Sequence, residues 1–421
     1  MVNNESNPGF SGDKGAVPAK DITISRRDFG RILALTTGGG VLAGTGWCVV
    51  LDHFFSPKPE NKAQAIPNST GSNLPTPESS LTTSATTKTK TDITTSKAMT
   101  KSATTGPATS TKAPITDAVT APKNENSNPL KGLSLCSNPN STLTSHEGEF
   151  SPEMYKKLYQ PTALWHGDWN TVDTIQSIVR SESDTITSNG TNNHLPVFVV
   201  YNIKNRDQPG GFSTGGASTD TEYLKWVTEF AKGNNRKSLV IMEPDALAFA
   251  ASFKVETDKT ARINAIKEAI RIIRQTNNNC MVAIDAAHLG WPYSDNMISM
   301  LKEVGLGMAD GPQMITLNVS NYRSTNECEE YAKVLLASFP PSVGYIIDTS
   351  RNGAVVTDDS TCNPNEARLG KPPYIVTDQN ADPREFAHLW IKPPWESDGA
   401  CGHKYPKAGE FSKDYSLILA S

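Results

Sequence analysis

The sequence predicts an α/β fold, a barrel or a doubly wound sheet, over residues 129–421. Three observations predict it: short apolar runs rich in β-formers, segments of helical period between them, and polar residues at the end of each run. The first run is Leu195–Ile203 ("LPVFVVYNI"). Ser238–Met242, Cys280–Ala286, Met314–Tyr322 and Val343–Ser350 follow, and Ala387–Pro394 adds a sixth. Most are continuously apolar, as in strands buried on both faces of a parallel sheet. Between the first two runs, Asp220–Gly233 carries Tyr223, Leu224, Trp226, Val227 and Phe230 at helical spacing. Lys259–Thr276 repeats the pattern with Ile263, Ile266, Ile270 and Ile273, and Asn326–Phe339 gives a third helix. Strand and helix thus alternate, which is the signature of parallel α/β architecture.

The run ends carry the chemistry, because such folds gather function at the carboxyl ends of their strands. The first run leads to Asn205-Arg206-Asp207, the second to Glu243-Pro244-Asp245, and the third to Asp285 with His288 close behind. The fourth gives Asn318 and Asn321, the fifth Asp348 and Arg351, the sixth Lys392, Glu396 and Asp398. Any one of these reads well as a helix cap or a structural ion pair. Six in succession read as one carboxylate-rich cleft. Trp165, Trp291, Trp390 and Trp395 fall beside the same places. Tryptophan is more often core filler, but next to carboxylates its flat face suits the apolar face of a sugar ring. Carboxylates with aromatic platforms, and neither a nucleotide loop nor a metal cluster in the sequence, point to glycoside hydrolysis.

The rest of the chain is organised differently. Residues 1–65 hold Ser25-Arg26-Arg27-Asp28-Phe29 followed by an apolar, Gly-rich run, Ile32–Leu51. This resembles a bacterial twin-arginine export signal, with Ala63–Ala65 as a candidate cleavage site. Twenty apolar residues also suffice for an uncleaved membrane anchor, so secreted and surface-anchored forms both stay open. Cys48 follows Trp47, a poor context for lipoprotein acylation. Residues 66–128 are almost wholly Thr, Ser, Pro, Ala, Lys and Asn, without apolar period, and read as a disordered linker. The net charge of -4 gives no reason to expect a nucleic-acid partner. Five cysteines fall in 129–421 (Cys136, Cys280, Cys328, Cys362 and Cys401), so at least one is unpaired within that part.

The blocks "VVYNIKNRD", "LVIMEPDALA", "AIDAAHLGW", "LNVSNYR", "IIDTSRNG", "CNPNEARLG" and "LWIKPPWESDG" occur in one order along 128–421. In that order they resemble glycoside hydrolase family 6, cellulases that cleave β-1,4-glucans with inversion. The resemblance implies a distorted, partly open parallel β/α barrel of about seven strands. It implies Asp245 as general acid, Asp207 as the carboxylate that raises the acid's pKa, and Asp398 as candidate base. Proton relay through water to Asp207 is the alternative to direct abstraction by Asp398. Ser213 and Tyr201 match a water-holding serine and a tyrosine near the reacting sugar. Trp165, Asp285, His288, Trp291, Asn318, Asn321, Lys392 and Glu396 are the substrate-binding candidates. Cys362 and Cys401 match a disulfide. The resemblance implies no metal or organic cofactor. The expected partner is a β-glucan polysaccharide, bound by a monomer.

Three departures from the family pattern stand out. Gln208 follows Asp207 where the family often has cysteine, and "ALAFAASFKVET" lacks its partner. The residue before Cys362 is Thr361 where a sugar-stacking tryptophan is common. Finally, few residues follow Asp398, which predicts an open groove and endo cleavage. The alternatives are an exo-acting cellobiohydrolase and a weakly active glucan-binding homologue; an Asp245→Ala control on soluble cellulose separates the last from an enzyme.

Overall fold

The computed structural model of the protein describes residues 128–187, 193–208, 210–357 and 362–421. The arginine pair, the apolar run Ile32–Leu51, Cys48, the linker up to residue 127 and Thr361 lie outside the described residues. Among the described residues, no helix is long and apolar enough to cross a membrane.

Eight strands form one sheet: β1 (Leu164–Gly167), β2 (Val197–Tyr201), β3 (Ser238–Met242), β4 (Cys280–Asp285), β5 (Met314–Leu317), β6 (Gly344–Asp348), β7 (Tyr374–Ile375) and β8 (Glu385–Leu389). Their order is β1-β2-β3-β4-β5-β6-β8-β7. Seven run parallel; only two-residue β7 pairs antiparallel, on β8. The sheet curls until the residues flanking β1 and β8 meet at one bridge, Thr162 to Trp390, where the Ala163 N–H donates to the Trp390 carbonyl at 3.1 Å. Trp165 Nε1 reinforces that seam by donating to the Ile391 carbonyl at 2.7 Å. The result is a distorted barrel, joined along this side by a single bridge rather than a ladder.

Both faces of the strands are buried, which explains their unbroken apolar runs. Val197, Val199, Leu239, Ile241, Met281, Ala283 and Met314 alternate onto one face and pack together as the barrel interior. Phe198, Val200, Val240, Met242, Val282 and Ile284 point the other way, under the helices. Those are α1 (Pro152–Leu158), α2 (Ile175–Thr187), α3 (Asp220–Gly233), α4 (Ala246–Ala251), α5 (Glu256–Thr276), α6 (Ser294–Glu303), α7 (Thr325–Leu336) and α8 (Lys413–Ala420). Helix α3 begins at Thr219, whose side chain accepts the Glu222 N–H, and α7 begins with a reciprocal Ser324–Glu327 capping box. Gly344 opens β6 because any Cβ there would meet the Phe386 ring at 2.3 Å.

Several strands stop earlier than their apolar runs suggest. The run Met314–Tyr322 ends its ladder at Leu317, since Asn318 and Ser320 take φ values of 65° and 57°. Leu195–Ile203 likewise narrows to Val197–Tyr201, and Ala387–Pro394 shifts to Glu385–Leu389. Cys362 and Cys401 form a disulfide with Cα atoms 5.8 Å apart, across a sequence separation of 39. A crosslink of this span stabilises by about 2–4 kcal/mol. Cys280 and Cys328 are free, buried thiols.

Candidate active site

The rim at the carboxyl ends of the strands is unusually strained. Asn205, Asp207, Glu243, Asp245, Ala287, Asn318 and Ser320 all have positive φ. For residues other than glycine this conformation costs energy and persists where surrounding bonds enforce it. Glu243 (φ 44°) and Asp245 (φ 68°) flank Pro244, so the chain turns sharply out of β3. Asp245 stands at the N-cap of α4 but makes no capping bond with its side chain. Its carboxyl is thereby left to the cleft, while its backbone N–H donates to Asp285 Oδ2 at 2.9 Å. Burial pushes the Asp245 carboxyl well above the usual range, and the charges of Asp285, Asp207 and Asp398 push it the same way.

On one side of Asp245 lies the β2 loop. Asp207 Oδ2 accepts the Ser213 N–H at 2.5 Å and its hydroxyl at 3.3 Å. Ser213 Oγ also pairs with Tyr201 Oη at 2.8 Å. Buried Arg206 shapes this loop: it donates to the Ser213 carbonyl (3.0 Å), the Tyr201 carbonyl (2.8 Å) and Asp168 Oδ1 (2.8 Å). Its guanidinium stacks 4.6 Å from the centre of the Tyr201 ring. These bonds tie the loop where Gln208 stands in place of a cysteine. Gly210 permits the close fold, since a Cβ there would lie 2.2 Å from Asp207 Oδ1 and 2.7 Å from Phe249.

Asp398 sits among donors. Both of its oxygens take Arg351 Nη1, at 2.7 and 2.8 Å, and Oδ2 also accepts the Tyr322 hydroxyl and the Asn363 N–H. Arg351 is 0 % exposed and lies over the Tyr322 ring. The exposed ring of Phe212 approaches Gly399 from the Asp207 loop, so the two loops meet at that point.

The remaining candidates divide. Lys392 Nζ reaches Glu396 Oε2 at 3.4 Å, and both are nearly buried. Trp165 stands edge-on to Tyr201, and Trp291 edge-on to Phe249 with His288 beside it. Burial lowers the His288 pKa and favours its neutral form. Asn321 is half-buried. Asn318 is fully buried, and its amide donates to the Asp348 carbonyl and accepts the Arg323 N–H; it braces the rim. Trp390 and Trp395 are likewise core side chains. Asp285 accepts the N–H groups of Asp245 and Ala287 and the Thr316 hydroxyl. Asp348 accepts four backbone N–H groups, from Ser320, Ser350, Ile391 and Lys392. Asp168, Tyr322 and the pairing of Arg351 with Asp398 escaped the sequence reading. Arg351 was visible as a charged strand end, but nothing in the spacing pointed to Asp398 as its partner.

The buried carboxylates set a pH dependence. Burial raises Glu243 to about 7, against the lowering effect of the Asn202 and Ile203 N–H groups, Tyr223 and Arg206. In the unfolded chain a glutamate titrates near roughly 4.3. The folded protein holds the proton more tightly, so stability falls as pH rises through the window between these values. For Glu243 alone the loss across the whole window is on the order of 4 kcal/mol. Asp285, raised to about 7 chiefly by burial, adds in the same direction. The thermal midpoint is therefore expected to be several degrees lower at pH 8 than at pH 5, with a flatter slope in Glu243→Gln. A midpoint that climbs over this range contradicts the assignment.

The family model of glycosyl hydrolases family 6 matches residues 140–421. Endoglucanase A of Thermobispora bispora is 35% identical over 263 residues, which are 62% of this chain and 54% of the relative. Endoglucanase A of Cellulomonas fimi is 34% identical over 260 residues, with the same coverage. The chain thus spans about half the length of these curated relatives. Among solved structures, the endoglucanase Cel6 of Mycobacterium tuberculosis, in complex with methyl-cellobiosyl-4-deoxy-4-thio-β-D-cellobioside, aligns with a TM-score of 0.63 and 30% identity. The alignment covers 70% of this chain and 98% of that one.

Proposed function

Since the chain belongs to glycosyl hydrolases family 6, we propose that it hydrolyses internal β-1,4-glucosidic bonds of cellulose or related β-glucans with inversion. One observation carries this reading: Asp245, with a raised pKa, stands at a strained strand end among Asp285, Asp207 and Asp398. A carboxyl kept protonated by burial and neighbouring charge is suited to protonate a leaving oxygen. Inversion then needs a water on the far side of the sugar, between carboxyls about 6.5–9.5 Å apart.

In this reading Ser213 and Tyr201 hold that water, and Asp207, bonded to Ser213, receives its proton through the chain of hydroxyls. Asp398 serves better as a fixed negative charge facing the oxocarbenium-like centre, because taking a proton would loosen its ion pair with buried Arg351. Trp165 and Trp291 supply platforms for sugar faces. Lys392, Glu396, His288 and Asn321 supply polar contacts to hydroxyls, with Asp285 behind them as the clamp on Asp245. All these groups come from one chain, so a monomer suffices, and no step calls for a metal or an organic cofactor. In this reading 129–421 is the catalytic domain. Arg26-Arg27 with the apolar run directs export, with release or membrane attachment decided by cleavage. The Cys362–Cys401 disulfide accords with an oxidising destination.

The endo mode is supported by the relatives' names and by the segment after Asp398. Residues 395–397 pair back with 409–412: Gly409 N–H bonds the Ser397 carbonyl, Ser397 N–H the Glu410 carbonyl, and Ser412 N–H the Trp395 carbonyl. The intervening excursion is short and pinned at Cys401, too little to roof several sugar rings. Carboxymethylcellulose viscosity is therefore expected to fall steeply while few reducing ends have formed. Slow viscosity loss with cellobiose as nearly the sole early product would replace the endo reading with an exo one.

A further inference from the structure

Residues 202–206 have left the sheet, and their peptide groups need partners other than a neighbouring strand. Charged side chains supply most of them. Glu243 accepts the Asn202 N–H at 3.1 Å and the Ile203 N–H at 3.2 Å. Arg262, projecting from α5, donates through Nη2 to the Lys204 carbonyl (3.0 Å) and the Asn205 carbonyl (3.1 Å). Arg206 takes the Tyr201 carbonyl, and the Arg206 N–H closes on the Gly215 carbonyl at 3.0 Å. The irregular segment that delivers Asp207 is thus gripped at nearly every peptide by buried charge.

We infer that Glu243 and Arg262 are positioning residues that set Asp207 against Asp245. The inference rests on the proposed roles of those two aspartates. Glu243 is two residues from Asp245, is 0 % exposed, and is itself held at φ 44°. It fastens the strand end bearing one carboxyl to the backbone leading to the other. Neither Glu243 nor Arg262 touches the reacting atoms; both act through the loop.

The choice of residue type supports a functional reason. Two backbone N–H groups could be capped by a neutral side chain without burying an ion. A buried carboxylate and a buried guanidinium cost stability unless well paired, and burial is the main influence on the ionisation of both. What the carboxylate offers is two acceptor oxygens that can hold adjacent N–H groups at once, and the guanidinium offers, through Nη2 alone, two N–H bonds for two carbonyls. A glutamine keeps an acceptor for both N–H groups only with its carbonyl at the Oε2 position, and it then turns its N–H₂ toward the Asn202 N–H, which bonds both oxygens of Glu243. The segment would then be free to relax, and displacement of a catalytic group by about 1 Å can cost on the order of 10²-fold in rate.

The test is a mutant cycle on the full chain, with a soluble cello-oligosaccharide. Glu243→Gln is expected to fold, with a thermal midpoint at pH 8 no lower than wild type. Its kcat should fall on the order of 10²-fold while KM changes less than about threefold. In an Asp207→Asn background the same change should cost less than about twofold, because the group being positioned is already gone. Arg262→Gln should show the same split, and serves if Glu243→Gln does not accumulate as folded protein. Wild-type kcat per folded molecule in either variant overturns the inference. So does an undiminished loss in the Asp207→Asn background, or a loss that simply follows the unfolded fraction. Wild-type turnover by folded Asp245→Ala would instead remove the glycosidase site itself, and is distinguishable from all of these.

Discussion

Asp245→Ala is expected to lower turnover of polymeric glucan by about 10³-fold or more, within the range for loss of a general acid and its charge. Stability should hold or improve. The substitution removes a carboxyl from a site where burial and three neighbouring carboxylates oppose its charge, and Asp245 makes no capping bond that alanine would lose. Its backbone bonds, the N–H to Asp285 and the carbonyl that accepts the Phe249 N–H, are ones alanine keeps. Substrates divide the effect. An aryl cello-oligosaccharide with a strongly acidic phenol leaves without protonation, so the variant should retain most of its rate on it, within roughly tenfold. Equal losses on both substrates would mean that Asp245 does something other than protonate the leaving oxygen. Full activity on polymer in a folded variant would end the assignment.

Asp398→Ala should behave quite differently, losing both activity and stability. Its carboxylate is the counter-charge of an arginine with no exposed surface, and it also anchors Tyr322 and the Asn363 backbone. Removing one member of a buried ion pair typically costs about 3–5 kcal/mol, because the other is left uncompensated. The thermal midpoint should fall by roughly 10 °C, given about 2–4 °C per kcal/mol for a domain of this size. Pairing the change with Arg351→Met should recover much of the stability and none of the activity. If Asp398→Ala keeps the wild-type midpoint, the ion pair contributes little, and the argument against Asp398 as proton acceptor weakens with it.

The strands were legible because both faces of a parallel sheet are buried, so β3 and β4 announce themselves as unbroken apolar runs. β1 did not. It is four residues long, contains His166 and ends at Gly167, and its burial comes from neighbours far away in sequence. Helix α3 matched its apolar spacing from end to end, whereas α2 has a sparse apolar stripe among serines and threonines and was passed over. The same division runs through the site. Glu243-Pro244-Asp245 declares itself by position alone, as carboxylates where a strand ends. The partnership of Arg351 with Asp398 does not, because it joins two loops 47 residues apart through a contact that no local rule encodes. Asn318 is the converse case: a polar residue visible at a strand end, whose bonds to the Asp348 carbonyl and the Arg323 N–H no local rule announces.

The single bridge that joins the flanks of β1 and β8 has a consequence for how the chain acquires its shape. Among the parallel strands each pairs with the next in sequence, apart from the excursion through β7, so each pairing closes a loop of a few tens of residues. Among the parallel pairings of the sheet, the seam alone joins distant parts of the chain, with Trp165 and Ile391 separated by 226 positions. Contacts of such high order are entropically the most expensive to close, though the cost grows only with the logarithm of length. They are also the slowest to find during folding. The curled sheet can therefore assemble edge by edge from β1 toward β8 and lock only at the end. In exchange experiments the Ala163 amide should take up deuterium ahead of the amides of β3 and β4, reporting a zipper that opens where it was last fastened.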